Sequence, residues 1–187
     1  MSACTYFIGC PHFGHEAMYR FVRANGEKVR PYASAAEGDA VMVENWNKTV
    51  AKGDKVYVMG DVAFTPKDLK ILGSLNGSKV LIKGNHDTLQ LSQYAKYFRD
   101  IRAYHKLDNE VLSHIPIHPV SLWRAKRNAF WLNIHAHLHA EEVMLTENVT
   151  DLRYFSCCVE RIGYNPISID EIRNRVTALH HKETNGC

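Results

Sequence analysis

The sequence predicts an α/β sandwich: mixed β-sheets flanked by helices, in a single domain spanning residues 1–187. Three observations predict it. Short β-forming runs alternate with amphipathic helical stretches through the first half of the chain, the pattern of parallel strands joined by helical crossovers. The second half is richer in strands and turns. No internal repeat, low-complexity tract or linker divides the 187 residues, a length ordinary for one core.

Thr5-Tyr6-Phe7-Ile8-Gly9 is a short apolar run rich in β formers and reads as a buried strand. Ser34-Ala35-Ala36-Glu37 has the form of a capping box, opening a helix to about Val50 with Val41, Val43 and Trp46 as core candidates. Lys55 to Met59 is a second strand, ended by Gly60. Thr65 and Pro66 are placed as cap and first residue of a helix reaching Asn76-Gly77. Further strands are expected at Lys79–Ile82, Glu110–Ser113, Phe130–Ile134 and Tyr154–Val159. Ser168-Ile169-Asp170-Glu171 is another capping box, opening a last helix to about His180.

Composition narrows the class. A formal charge of +3 suits an anionic substrate without the basic stripe of a nucleic-acid binder. There is no run of about 18 apolar residues, so no membrane span is expected. Met1-Ser2-Ala3-Cys4 has neither the basic nor the apolar region of a signal peptide. Five cysteines, an odd number with Cys157 and Cys158 adjacent, make a poor disulfide framework, so a reducing cytoplasm is expected. Cys157 and Cys158 read as core thiols.

The chemistry-bearing residues fall where strands end. Ligands of α/β sheets gather beyond the carboxyl ends of the strands. Here Cys10 and His12 follow the first strand and Asp61 the second. Asn85, His86 and Asp87 follow the third, His114 the fourth, and His137 and His139 the fifth. One Gly-Asp is usually a turn, and one exposed histidine is usually solvated. Five strand ends carrying metal-ligand types in order are not expected from chance. His135 points opposite to its neighbours on a regular strand, which favours a structural role.

The order of these blocks resembles the calcineurin-like metallophosphoesterase superfamily, whose pattern runs Asp-x-His, Gly-Asp, Gly-Asn-His-Asp/Glu, a lone His, then Gly-His-x-His. The matching blocks span residues 10 to 139. Cys10-Pro11-His12-Phe13-Gly14-His15 is similar to the opening of a small Asp-x-His-Phe-Gly-His subgroup, as are Glu44-Asn45-Trp46-Asn47 and Tyr164-Asn165-Pro166-Ile167-Ser168. Two positions depart from the pattern: Cys10 stands where the family has aspartate, and Ala136 where it has glycine.

The resemblance implies the calcineurin-like fold and two divalent metal ions, with manganese, zinc, iron or nickel as candidates. Cys10, His12, Asp61 and His139 would hold one ion, and Asp61, Asn85, His114 and His137 the other, with Asp61 bridging. It implies hydrolysis of a phosphodiester or phosphomonoester by attack of a metal-bound hydroxide, the diester being favoured. His86 would stabilise the transition state or protonate the leaving oxygen, and Asp87 would orient His86. A thiolate at Cys10 keeps aspartate's charge but is softer; a protonated, unbound Cys10 is the alternative.

The implied partner is a phosphate ester, with a nucleotide or nucleic-acid end as a candidate. His15 either faces substrate or bonds its own turn. Arg124 and Arg127, in Trp123-Arg124-Ala125-Lys126-Arg127, either contact substrate or form a solvated loop. Two alternatives stand beside the hydrolase: a metal-bound scaffold without turnover, and a protein phosphatase. Val62-Ala63-Phe64-Thr65 after Gly60-Asp61 lacks the arginine of the protein phosphatases, which weighs against the latter.

Overall fold

The computed structural model describes residues 3–23, 25–119 and 131–185, with side chains described as far as residue 181. The chain is a mixed α/β protein. Strand β1 (Thr5–Ile8) leads through a 3-10 turn at Glu16–Tyr19 to helix α1 (Ala35–Thr49) and strand β2 (Lys55–Val58). A 3-10 helix at Asp68–Ser74 then leads to β3 (Ser78–Ile82), the short helix α2 (Leu91–Tyr94), β4 (Asp100–Arg102), β5 (Tyr104–Lys106) and β6 (Glu110–Ser113). Later come β7 (Leu132–His135), β8 (Met144–Thr146), β9 (Val149–Thr150), β10 (Tyr154–Ser156), β11 (Ile167–Ser168) and α3 (Ile169–Asn185).

One sheet has the order β11-β1-β2-β3-β4 and a second has β10-β7-β6-β5; β8 and β9 form a small ribbon. The strands from β1 to β4 run parallel in register, with Phe7 opposite Tyr57 and Tyr57 opposite Val80. The pairs β6–β7 and β7–β10 are also parallel. Antiparallel β11 and β5 make both sheets mixed. The sheets join at Gly9, which donates its N–H to the Cys157 carbonyl at 2.7 Å and accepts the Val159 N–H on its own carbonyl at 3.0 Å. A Cβ at Gly9 would stand 2.5 Å from that of Ala136, so glycine lets this strand pass under the buried Ala136. Ala136 is thus accommodated by Gly9.

Helix α1 begins as predicted. Ser34 is extended, and its hydroxyl accepts the Glu37 N–H. The return bond differs from the expected box: Glu37 accepts the Ala33 N–H, one residue early, at 2.8 Å. The buried face is Ala35, Gly38, Met42 and Trp46. Val41 and Val43 are half-buried instead, because they flank the stripe that Met42 centres. Trp46 donates its indole N–H to the Asn76 carbonyl, holding α1 against the turn before β3.

The helix expected from Thr65 is a 3-10 helix of seven residues starting at Asp68. Its buried residues Leu69 and Leu72 lie three apart, the spacing that eclipses in a 3-10 helix. Its N-cap is Lys67, without a side-chain cap bond, rather than Thr65; Thr65 lies in the turn before, accepting the Asp68 N–H and donating to the Asp68 carboxylate. Strands β4, β5, β8, β9 and β11 were not anticipated; all are two or three residues long, too short for a periodic signal. No helix among the described residues is long and apolar enough to cross a membrane.

Candidate metal centre

Parallel strands deliver their following loops to one edge, and the candidate ligands occupy those loops. Cys10 and His12 follow β1, Asp61 follows β2, Asn85 to Asp87 follow β3, His114 follows β6, and His137 and His139 follow β7. The two edges face each other: His114 at the end of β6 places Nδ1 2.7 Å from the Met59 carbonyl beyond β2. Ala136 N–H donates to the His114 carbonyl at 3.0 Å, which aligns the loops after β6 and β7.

The ligand atoms of Cys10, His12 and His139 lie within 4.8 Å of one another, as do those of Cys10, Asp61 and His114. Either group could hold a metal ion. The Asp61 carboxylate, part of the second group, also approaches the first: it is 3.7 Å from His12 Nε2 and 3.3 Å from His114 Nε2. Asn85 Oδ1 is 2.9 Å from His114 Nε2, and His137 Nδ1 is 3.3 Å from the same atom. His137 also donates its backbone N–H to Cys10 Sγ at 3.2 Å. Of the expected ligands, Cys10, His12, Asp61, His114 and His139 fall in these groups, and Asn85 and His137 lie beside His114; Cys10 rather than Asp61 is shared by both groups.

The backbone is bent to achieve this. Cys10, His12, Asp61, His137 and His139 all have left-handed φ between 48° and 71°; Tyr164 is the other non-glycine with positive φ among the described residues. Such conformations cost about 1–3 kcal/mol each and collect at functional sites. Gly60 (φ 82°) and Gly84 supply the clearance. A Cβ at Gly60 would stand 2.5 Å from His114 Nδ1, and one at Gly84 would stand 2.2 Å from Asp61 Oδ1.

Electrostatics suit a cation. Both ring nitrogens of His12 are buried with no hydrogen-bond partner, a costly arrangement that a bound ion would relieve. Burial pulls the His12 pKa down to about 3, which leaves the imidazole neutral with a lone pair to give. For His114, burial opposes charge, but Asp61 and the Met59 carbonyl outweigh it and the net shift is upward. Asp61 is held below the ordinary carboxylate range: burial works against this, and His114 and the His86 N–H overcome it. Burial, then the neighbouring Cys158 thiol, pushes the Cys10 thiol well up, so the free thiol is neutral. A cation beside it would reverse that preference.

Comparison with known proteins gives relatives without a described activity. No protein-family profile matches the chain. It is 29% identical over 172 residues to an uncharacterized protein of Methanocaldococcus jannaschii, covering 89% of this chain and 88% of that one. It is 32% identical over 88 residues to the Gene 66 protein of Mycobacterium phage L5, covering 44% of this chain and 39% of the phage protein. The crystal structure of a protein of unknown function from Aquifex aeolicus is similar at TM-score 0.68 and 26% identity, covering 92% of this chain and 99% of that one. The mixed α/β architecture therefore has a solved counterpart.

One residue expected to act through another takes a different role. Asp87 does not orient His86. Its buried carboxylate accepts the backbone N–H groups of Asp61, Val62 and Gly84 at 2.8–2.9 Å, so it ties the turns after β2 and β3 together. His86 is exposed at the rim, its N–H on Asp61 Oδ1 and its ring 6.0 Å from that of His12. His15 packs edge-on to Phe64 at 4.3 Å, and its Nδ1 bonds nothing among the described residues. His135 bonds the Ala136 carbonyl and is buried, the structural role expected of it. Cys157 and Cys158 are buried core thiols. Arg124 and Arg127 lie outside the described residues.

Two functional candidates went unrecognised in the sequence. Glu160, wholly buried, lies 3.2 Å from His139 Nδ1 and accepts from Arg30 Nε at 2.9 Å. Arg30, itself fully buried, donates to the carbonyls of Pro11 and Cys10. Arg30 thereby holds the Cys10–His12 turn, and Glu160 orients His139. Glu160 was detectable, because it closes the Cys157-Cys158-Val159 run after β10 and so is also a strand-end acid. Arg30 gives no local signal. The Asn45 and Tyr164 blocks of the resemblance are structural: Asn45 donates to the Tyr164 carbonyl, and Thr49 bonds Asn165, pinning α1 to the segment before β11.

Proposed function

We propose that this chain is a dinuclear-metal-dependent phosphoesterase with the calcineurin-like fold, hydrolysing a phosphodiester in preference to a phosphomonoester. The observation that carries the reading is Asp61, which belongs to one of two potential cation groups that share Cys10 and also lies within 4 Å of His12 in the other. A carboxylate so placed is suited to bridging two ions. The two facing mixed sheets with ligand loops at one edge support the finer fold assignment.

The residues fit such ions by donor type: thiol, imidazole, carboxylate and amide, with the partnerless nitrogens of His12 buried among them. Divalent cations held by Cys10, His12, Asp61 and His139 and by Asp61, Asn85, His114 and His137 would supply Lewis acidity, acidifying water and neutralising phosphate charge. The chain's own groups do the rest. The Glu160 carboxylate fixes His139 through Nδ1, which leaves Nε2 as the nitrogen that can serve as a ligand. The Asp87 clamp holds Asp61 and the Gly84 turn in register. Exposed His86 gives a ring proton to the departing oxygen.

The test is hydrolysis of bis-nitrophenyl phosphate and nitrophenyl phosphate with manganese, zinc or nickel. Turnover removed by chelator, restored by metal and lowered about 100-fold or more in Asp61→Asn supports the reading, since even outer-shell changes around a metal cost 10–100-fold. Bound metal without turnover of any ester would favour a scaffold instead, the role that the neutral, buried Cys10 thiol would suit.

A further inference from the structure

Beside the candidate centre lies a cavity of about 560 Å³ that Asn85 and His114 border on one side. That size is within the usual span of small-molecule sites, about 300–1,000 Å³. Its lining also includes the apolar side chains of Leu91, Ile101, Ile115 and Ile117 and the ring of Tyr104. Three of these side chains are turned to solvent: Leu91 is 57%, Tyr104 46% and Ile115 50% exposed. Apolar groups gathered at a concave surface mark a binding site more often than a bare face. The Tyr104 ring stacks on no other aromatic ring among the described residues.

Charge sets the orientation of what binds. Lys83 and Arg102 line the same cavity. Arg102 is engaged by Asp100 and His105, whereas the Lys83 ammonium has no hydrogen-bond or ion-pair partner among the described residues. Lys83 directly precedes Gly84-Asn85-His86, and a cation, two residues of the candidate centre and apolar side chains line a single groove. An occupant that satisfies all three has an anion at one end and a flat, largely apolar ring at the other. A phosphorylated serine side chain would leave the apolar side chains wet, and a bare sugar phosphate would leave Tyr104 without a partner.

We propose that this groove receives the base and sugar of a nucleotide, the base against Tyr104, Leu91 and Ile115 and the phosphate toward Asn85, His114 and Lys83. The proposal rests on the phosphoesterase reading above and names the substrate class of that site.

Calorimetric titration of the metal-replete protein with adenosine monophosphate and with ribose phosphate tests it. Adenosine monophosphate is expected to bind about tenfold tighter, the scale of one base–aromatic contact. Tyr104→Ala, and separately Leu91→Ala and Ile115→Ala, bring that ratio toward one, while Leu179→Ala, on α3, keeps it. Equal affinities in the wild type, or a ratio that survives Tyr104→Ala and Ile115→Ala, overturn the proposal. So does a dimer in size-exclusion chromatography that those variants dissociate, since a second copy would then fill the groove. Hydrolysis of bis-nitrophenyl phosphate with no nucleotide preference sinks the groove assignment alone. A nucleotide preference with no ester hydrolysis sinks the phosphoesterase reading and leaves the groove standing.

Discussion

Cys10 differs from the aspartate of the family pattern in softness, reach and pKa. Thiolate bonds to zinc run to about 2.3 Å, longer than carboxylate bonds, and soft donors favour zinc or ferrous iron over manganese. Cys10→Asp should keep or raise metal-dependent hydrolysis and shift preference toward manganese, read by metal content and kcat/KM with each ion. Loss of both metal and turnover in that variant would remove Cys10 from the aspartate's role. Asp87 gives a second residue-level prediction. Asn at this position turns an N–H donor toward backbone donors, at about 1–3 kcal/mol for each group left unpaired. Urea denaturation of Asp87→Asn should show that loss, and the pH–rate profile of the remaining activity should not move. An unchanged stability with a displaced profile would return Asp87 to partnership with His86.

At the level of elements, the turns after β1, β2 and β7 carry the site, and they are strained where the candidate ligands sit. The strain is tolerated because the elements beneath are tightly constrained: β1, β2 and β3 are paired on both sides, and Phe7, Ile8, Val56, Val58, Leu81 and Ile82 are fully buried. Helix α1 contributes a pH-sensitive contact to the first of these turns. Asp39 accepts the Gly14 N–H at 2.8 Å, and burial, helped by Asp68 and Glu16, raises its pKa to about 6 from 3.8. The folded state then holds that proton more tightly than the unfolded chain. The resulting stabilisation is full below about pH 4 and is lost as pH rises through about 6. Asp39→Asn should flatten this part of the stability–pH curve, measured by urea midpoints at intervals from pH 4 to 7. A slope identical to wild type would assign it to other groups.

Across the whole molecule, the two sheets and the segment around residue 30 are locked by a pair 130 residues apart in sequence, Arg30 and Glu160. Both are fully buried, so removing one partner strands the other's charge. Glu160→Ala should lower stability by about 3–5 kcal/mol in chemical denaturation. The double change Arg30→Met with Glu160→Leu should recover much of that loss, because apolar replacement of a buried pair is often neutral. It should still bind divalent metal about 10–100-fold more weakly, since His139 loses its carboxylate. Full metal affinity in the double variant would make the pair purely architectural.

The sequence alone determined the order of the chemistry. Apolar β runs ending in Cys10, Asp61, Asn85, His114 and His137 place ligand types at strand ends, and that pattern needs only local periodicity to be read. It also determined the start of α1 at Ser34 and of α3 at Ser168, because caps are set by neighbouring residues. Only the tertiary structure decided that Met42 rather than Val41 faces the core, that Asp87 clamps backbone instead of His86, and that Arg30 and Glu160 stand behind Cys10 and His139. It alone revealed the apolar groove beside Asn85. The physical reason is the same in each case. Burial patterns within a segment are written in its own residues, whereas the partner of a side chain leaving a turn depends on how two sheets meet, and the junction at Gly9 and Cys158 is set by packing between distant segments.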